Sequence, residues 1–194
     1  MSGPAARIAP VPPDAWTDEV LAVFEIVEGP KAREKGSRSN VILTLANHPA
    51  LASRFLAFSH YLQRQSTLPP RLRELVILRV AWRHRCEYER RHHLNLARFF
   101  GVTPEECAAV EGGDPDAGPW SEPERLALLA VDQLCERSRI DEATWNALCA
   151  HGDKQLLLDL VFTVGGYTTL AWALNTLEVQ LDEELSRNLT QTWI

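Results

Sequence analysis

The chain has 194 residues, 45% apolar and 24% charged, with a formal net charge of −6. That is a soluble, globular profile with enough length for one domain with a real core, or for two small helical layers sharing one. The acidic balance argues against a nucleic-acid partner, which needs a positive field.

The first thirteen residues, MSGPAARIAPVPP, form a Pro/Ala arm with one Arg and no apolar h-region, so they do not read as a secretory signal. Reduced thiols and a cytoplasmic location are the expectation, and none of the four cysteines, Cys86, Cys107, Cys135 and Cys149, forms a CxxC pair. From Asp14 to about Val27, apolar residues recur at helical spacing, and Gly29–Asn40 is a polar loop. Val41–His48 reads as a short helix before Pro49, which opens the next helix through about Gln65. STLPP, Ser66–Pro70, breaks the chain; Arg71 to about Arg85 and Cys86 to Phe100 follow as two helical runs, the second stopped by Gly101 at a C-cap. Thr103–Glu106 and Ser121–Glu124 are capping boxes that open helices to about Val110 and Ser138. Between them, Glu111–Pro119 is an exposed connector and the best candidate for a boundary between two halves. Asp141 caps a helix to about Ala150, and Asp153 to about Leu181 is a long apolar helix or helix pair. Its core, Leu160–Leu177, carries no charge over eighteen residues, the length of a membrane span. Gly165–Gly166, the threonines and Asn175, with Asp159 and Glu178 at its ends, favour burial in a core or subunit interface over a membrane. No strand alternation and no hairpin turn appears, so the fold class is all-α.

The chemistry concentrates in RVAWRHRCEYERRHHLNLARFFG, Arg79–Gly101. Cys86, Glu89 and His93 are spaced i, i+3, i+7 and share one helix face. The preceding ELVILRVAW is apolar nearly all round, so its charges, Glu74 and Arg79, are buried and require partners or shifted pKa values. If the two helices form a hairpin, Glu74 faces His93. Glu89 and His93 at i, i+4 invite a metal, with Cys86 as a third ligand, but there is no HExxH and no second cluster, so no metal is expected. The Arg-rich face, diluted by glutamates, reads as solvated helix surface. A redox role needs a low-pKa thiolate, which a neighbouring Glu89 opposes. An acid–base role needs a carboxyl and an imidazole with perturbed pKa values, which Glu74, Glu89 and His93 supply; the alternative is a structural Glu–His pair joining two helices.

The block Arg73–Glu106, RELVILRVAWRHRCEYERRHHLNLARFFGVTPEE, resembles the carboxymuconolactone decarboxylase family, which includes the AhpD-like alkylhydroperoxidases. The likeness extends more loosely to the helix at Ser121 and to TVGGYTTLAWALNTLEV. It implies an oligomeric AhpD-like bundle of helix-hairpin units in a single domain, 14–194, with the family core at about 50–112 and a second helical half at about 120–181. In the peroxidase branch the pattern is Glu, eleven residues, CxxC, three residues, His. Laid on this chain it gives Glu74, Cys86, Glu89 in place of the second, peroxide-attacking cysteine, and His93, with Tyr88 inside the motif. The resemblance therefore carries over an acid–base frame and puts dithiol chemistry in doubt. In the decarboxylase branch a general acid protonates the dienolate left when CO₂ departs; His93 or Glu89 is the candidate donor, with Glu74 orienting His93. Tyr88 is a candidate substrate contact, and Arg79, the Arg most embedded in apolar neighbours, is the candidate for the substrate carboxylate. The expected function is cofactor-free proton transfer on a small organic acid or lactone, by a homo-oligomer (trimer, hexamer or dimer) with no nucleic-acid or membrane partner. The alternatives are a single-cysteine hydroperoxidase using Cys86 and a non-catalytic oligomer that keeps the fold.

Overall fold

Ten α-helices and two short 3₁₀ turns carry the described residues, 5–184, of a computed structural model, and no strand occurs among them. The first four residues of the N-terminal arm and residues 185–194 of the expected helical domain lie outside the described residues. The helices are α1 (Asp18–Glu28), α2 (Ala32–Lys35), α3 (Asn40–Leu45), α4 (Pro49–Arg64), α5 (Pro70–Arg83), α6 (Glu87–Phe99), α7 (Pro104–Val110), α8 (Glu122–Arg137), α9 (Glu142–Cys149) and α10 (Lys154–Leu177). The chain divides into two compact units, residues 66–172 and, among the described residues, 5–65 with 173–184.

In the 5–65 unit, α1 and α4 pack around Val20, Val23, Phe24, Ala52 and Leu56. The loop expected over residues 29–40 contains the single turn α2, closed by Gly36. Gly36 has φ 72° and sits directly against the Trp16 ring, which itself packs edge-on to Phe24 at 5.3 Å. Gly36→Ala is expected to lower stability by about 1–3 kcal/mol, through both the left-handed backbone and the displaced indole; urea unfolding would show it.

The 66–172 unit is built on α5. Leu72 through Ala81 are buried without interruption, because α5 has a core on either side. Leu72, Val76, Ile77 and Val80 pack with α8, α9 and α10; Leu75 and Leu78 pack with α6, α7 and α8. Such a helix has no solvated face, so each charge on it has to be paired inside the protein. The connector 111–119 lies within this unit rather than at a boundary, because Arg79 Nη1 donates to the carbonyls of Val110 and Gly113 at 2.8 and 2.9 Å. The long apolar segment is one continuous helix, α10, and it is long and apolar enough to cross a membrane by length and composition alone. Leu157, Leu160, Val164 and Tyr167 lie on its core face, while Leu158, Phe162 and Trp172 are exposed. Its start is fixed by Asp153, whose carboxylate accepts from the Leu156 amide at 2.9 Å, and by Asp159, which accepts from the Thr67 amide and hydroxyl at 2.6 and 2.8 Å.

Two consecutive helices end in the same way. At the end of α6, Gly101 takes φ 82°, with Gly101 N–H donating to Arg98 O and Val102 N–H to Ala97 O. At the end of α5, Arg85 takes φ 53°, with Arg85 N–H donating to Trp82 O and Cys86 N–H to Ala81 O. Both are Schellman closures, and the left-handed position that glycine fills in one is filled by arginine in the other. The second closure turns the chain so that α6 returns along α5.

Candidate active site

That return puts His93 of α6 against Glu74 of α5. His93 Nδ1 lies 2.7 Å from Glu74 Oε2, and His93 Nε2 lies 3.3 Å from Glu89 Oε2, one turn back on α6. All three side chains are buried: Glu74 is 0% exposed, His93 2% and Glu89 4%. Arg73, also buried, donates to the other Glu74 oxygen from Nε and Nη2, each at 3.2 Å. The Tyr167 ring of α10 meets the imidazole edge-on at 5.1 Å. Two buried carboxylates thus hold one imidazole between them, and a guanidinium compensates the extra negative charge.

The electrostatics follow from this arrangement. Burial alone would push the His93 imidazolium down, but hydrogen bonds and charge attraction from Glu74 and Glu89 outweigh it and hold its pKa at about 9. Burial pushes Glu74 up, and the bonds to His93 and Arg73 more than reverse this, so its carboxyl sits below the ordinary range. At neutral pH His93 therefore carries its proton. The Tyr167 hydroxyl is pushed well above its usual value by burial, with Glu89 and Glu74 adding to the effect.

Cys86 caps α6 at its N-terminus and is 1% exposed. Burial pushes its thiol up to about 12; the amides of Glu89 and Tyr88 favour the thiolate, and the charges of Glu89 and Glu87 oppose it. It stands as a thiol at neutral pH. The cysteine also forms part of the wall of a cavity of about 480 Å³, alongside Trp82, Arg83, Arg85, Glu87 and Arg90. Tyr88 is buried on the first turn of α6. Among the described residues no group of three or more His, Cys, Asp or Glu is arranged to hold a metal ion; both ring nitrogens of His93 face carboxylates.

Arg79 is placed differently from the sequence expectation. Its Nε and Nη2 donate to Asp132 at 2.8 and 2.6 Å, its Nη1 holds the two carbonyls named above, and its guanidinium lies 4.7 Å from the Trp82 ring centre. None of these bonds goes to the Glu74, His93 and Glu89 group, and the donors expected for a substrate carboxylate are engaged in the fold. Sequence reading also missed Arg73 and Tyr167. Arg73 is the cation adjacent to the most deeply buried glutamate, a usable signal. Tyr167 lies in the segment read only as an apolar run, and nothing in its local sequence sets it apart.

Comparison with known proteins agrees with this architecture. Residues 49–120 match the carboxymuconolactone decarboxylase family. The alkylhydroperoxidase AhpD core protein of Ralstonia eutropha JMP134, a peroxidase-related protein, superposes with a TM-score of 0.76 at 22% identity, covering 95% of this chain and 96% of that one. A peroxidase-related protein from Silicibacter sp. TM1040 gives 0.76 at 21% identity, with 95% and 97% covered. The debrominase Bmp8 gives 0.74 at 16% identity, with 94% and 96% covered. At these identities the likeness is one of fold. No curated protein sequence matches this one.

Proposed function

We propose, for a chain whose residues 49–120 match the carboxymuconolactone decarboxylase family and whose fold is that of the AhpD core, an enzyme that performs cofactor-free acid–base chemistry on a small organic acid or lactone. The observation that carries this reading is the buried imidazolium of His93 with a carboxylate on each ring nitrogen, at 2.7 and 3.3 Å. It is a proton source loaded at neutral pH. Glu74, fixed by Arg73, orients the ring and stabilises its charge. Glu89 meets His93 Nε2 with its carboxylate and the thiol of Cys86 with its backbone amide, and Cys86 is the member of the group that reaches the cavity wall. In a decarboxylation the C–C bond to the carboxylate breaks, CO₂ leaves, and its electron pair forms a dienolate. The proton on His93 passes through the Glu89 carboxylate to the dienolate carbon, and solvent reloads the ring.

A second reading uses Cys86 as the reactive group. It is favoured by the place of Cys86 on the cavity wall and by the solved complex of a cysteine-to-alanine variant of the debrominase Bmp8 with 2,3,4-tribromopyrrole. Against it stands the thiol held at about 12, since attack on peroxide requires the thiolate.

One experiment separates the two. Carboxymuconolactone and a panel of small lactone acids are assayed for CO₂ release with wild type, Cys86→Ala and His93→Ala. The acid–base reading expects Cys86→Ala to keep most of the rate and His93→Ala to lose about 10²–10⁴-fold. Loss of activity with Cys86→Ala, or rapid selective oxidation of Cys86 by hydrogen peroxide, would overturn it. The homo-oligomer and the cytoplasmic location are proposed on the same footing, the exposed Leu158, Phe162 and Trp172 of α10 supplying apolar surface for a second copy.

A further inference from the structure

We infer that the cavity beside Cys86 is an anion site, and that Arg85 is the positioning residue that holds a substrate carboxylate there. The inference rests on the acid–base reading for what happens next, but not for the binding itself.

Three guanidinium groups line this cavity, and two are already matched. Arg83 pairs with Glu136 and, at 3.7 Å, with Asp132. Arg90 grips both oxygens of Glu111, at 2.6 and 2.9 Å. Glu87, the one carboxylate on the wall, is matched by Arg91 and Arg90. Arg85 differs: among the described residues no hydrogen bond or ion pair engages its guanidinium, and the side chain is exposed. The local charges cancel pair by pair except for this one, so the cavity keeps a net positive group able to offer parallel N–H donors to a planar oxyanion.

The backbone makes the same residue conspicuous. Arg85 occupies, with φ 53°, the left-handed position that Gly101 fills with φ 82° in the Schellman closure of α6. A side chain at such a position is strained, and glycine would close the turn without that strain. A strained arginine, with no partner in the fold and facing a cavity, is better explained by a ligand than by the turn. Cys86 is the next residue and Glu89 lies one helical turn beyond it, so a molecule anchored here by its carboxylate stands beside the end of the proton path. The chemical class is a small molecule with a free carboxylate; a neutral lactone without one is excluded from tight binding.

The test uses benzoate and benzamide, alike in shape and different in charge, with binding followed by ligand-detected NMR at neutral pH. Wild type is expected to bind benzoate about tenfold more tightly than benzamide. Arg85→Gly removes that preference and raises the melting temperature, because glycine relieves the turn; Arg85→Lys keeps part of the preference. The inference is overturned if wild type fails to bind benzoate or binds the two alike. It is equally overturned if Arg85→Gly binds benzoate as wild type does, or loses binding together with a lower melting temperature, which marks a structural role. Because binding is read without turnover, failure of the acid–base chemistry leaves this result standing, and failure here leaves the His93 proton path untouched.

Discussion

Replacing His93 by leucine is expected to abolish turnover and to lower the unfolding free energy by about 3–5 kcal/mol, the cost of removing one member of a buried ionic group. Leucine fills the space of the imidazole, so the loss is electrostatic. Glu89 loses its Nε2 partner at 3.3 Å, Glu74 loses its bond of 2.7 Å, and Arg73 at 3.2 Å is left as the neighbouring cation. Urea unfolding of wild type and variant at about pH 6, where the contact contributes in full, would show this gap. A gap of under about 1 kcal/mol there would mean that the triad contributes little net stability.

The wild-type protein has its own pH signature from the same group. The His93 pKa is raised from 6.5 to about 9 on folding. Its contribution, about 3 kcal/mol, is therefore fully present below pH 6.5 and is lost as pH rises through 9. Glu74 moves the other way, lowered from 4.5, so its contribution is present above pH 4.5 and is lost as pH falls through the folded value. Both describe one contact and count once. Together they place the full contribution of this contact between about pH 4.5 and 6.5, with a decline on the alkaline side.

The helices were legible because their punctuation is chemical. Pro49 and Pro70 each occupy a first helical turn, and the boxes at Thr103 and Ser121 form with both reciprocal bonds. Gly101 closes α6 as a glycine should. Cys86, Glu89 and His93 were legible from period alone, and Glu74 from the cost of a carboxylate inside ELVILRVAW. Residues acting across greater separations were not. Tyr167 meets His93 because α10 returns over α5 and α6, and no local pattern encodes that return. Arg85 was legible only as a boundary. The sequence ends one helical run there and starts the next at Cys86, but only the observed φ of 53° shows that an arginine closes the turn in the left-handed conformation.

Arg79 shows how a correct inference about burial can yield the wrong role. The sequence places an arginine among apolar residues, and such a cation must have an anion; a substrate carboxylate and an internal aspartate satisfy that requirement equally well. The structure supplies the aspartate, fifty-three residues away on α8, with both Asp132 oxygens engaged at 2.8 and 2.6 Å. Arg79→Met is therefore expected to cost about 3–5 kcal/mol, since it leaves Asp132 with Arg83 at 3.7 Å as its remaining guanidinium and frees the carbonyls of Val110 and Gly113. Arg79→Lys recovers little, because an ammonium cannot span both carboxylate oxygens and both carbonyls at once. Arg79→Met combined with Asp132→Leu recovers much of the loss, because no unpaired charge then remains inside. The kinetics decide between the two roles. A structural arginine lowers the folded fraction and leaves KM unchanged in what remains folded, whereas a substrate contact raises KM at undiminished stability. A stable Arg79→Met variant with a raised KM would return Arg79 to the substrate and leave Arg83 as the partner of Asp132.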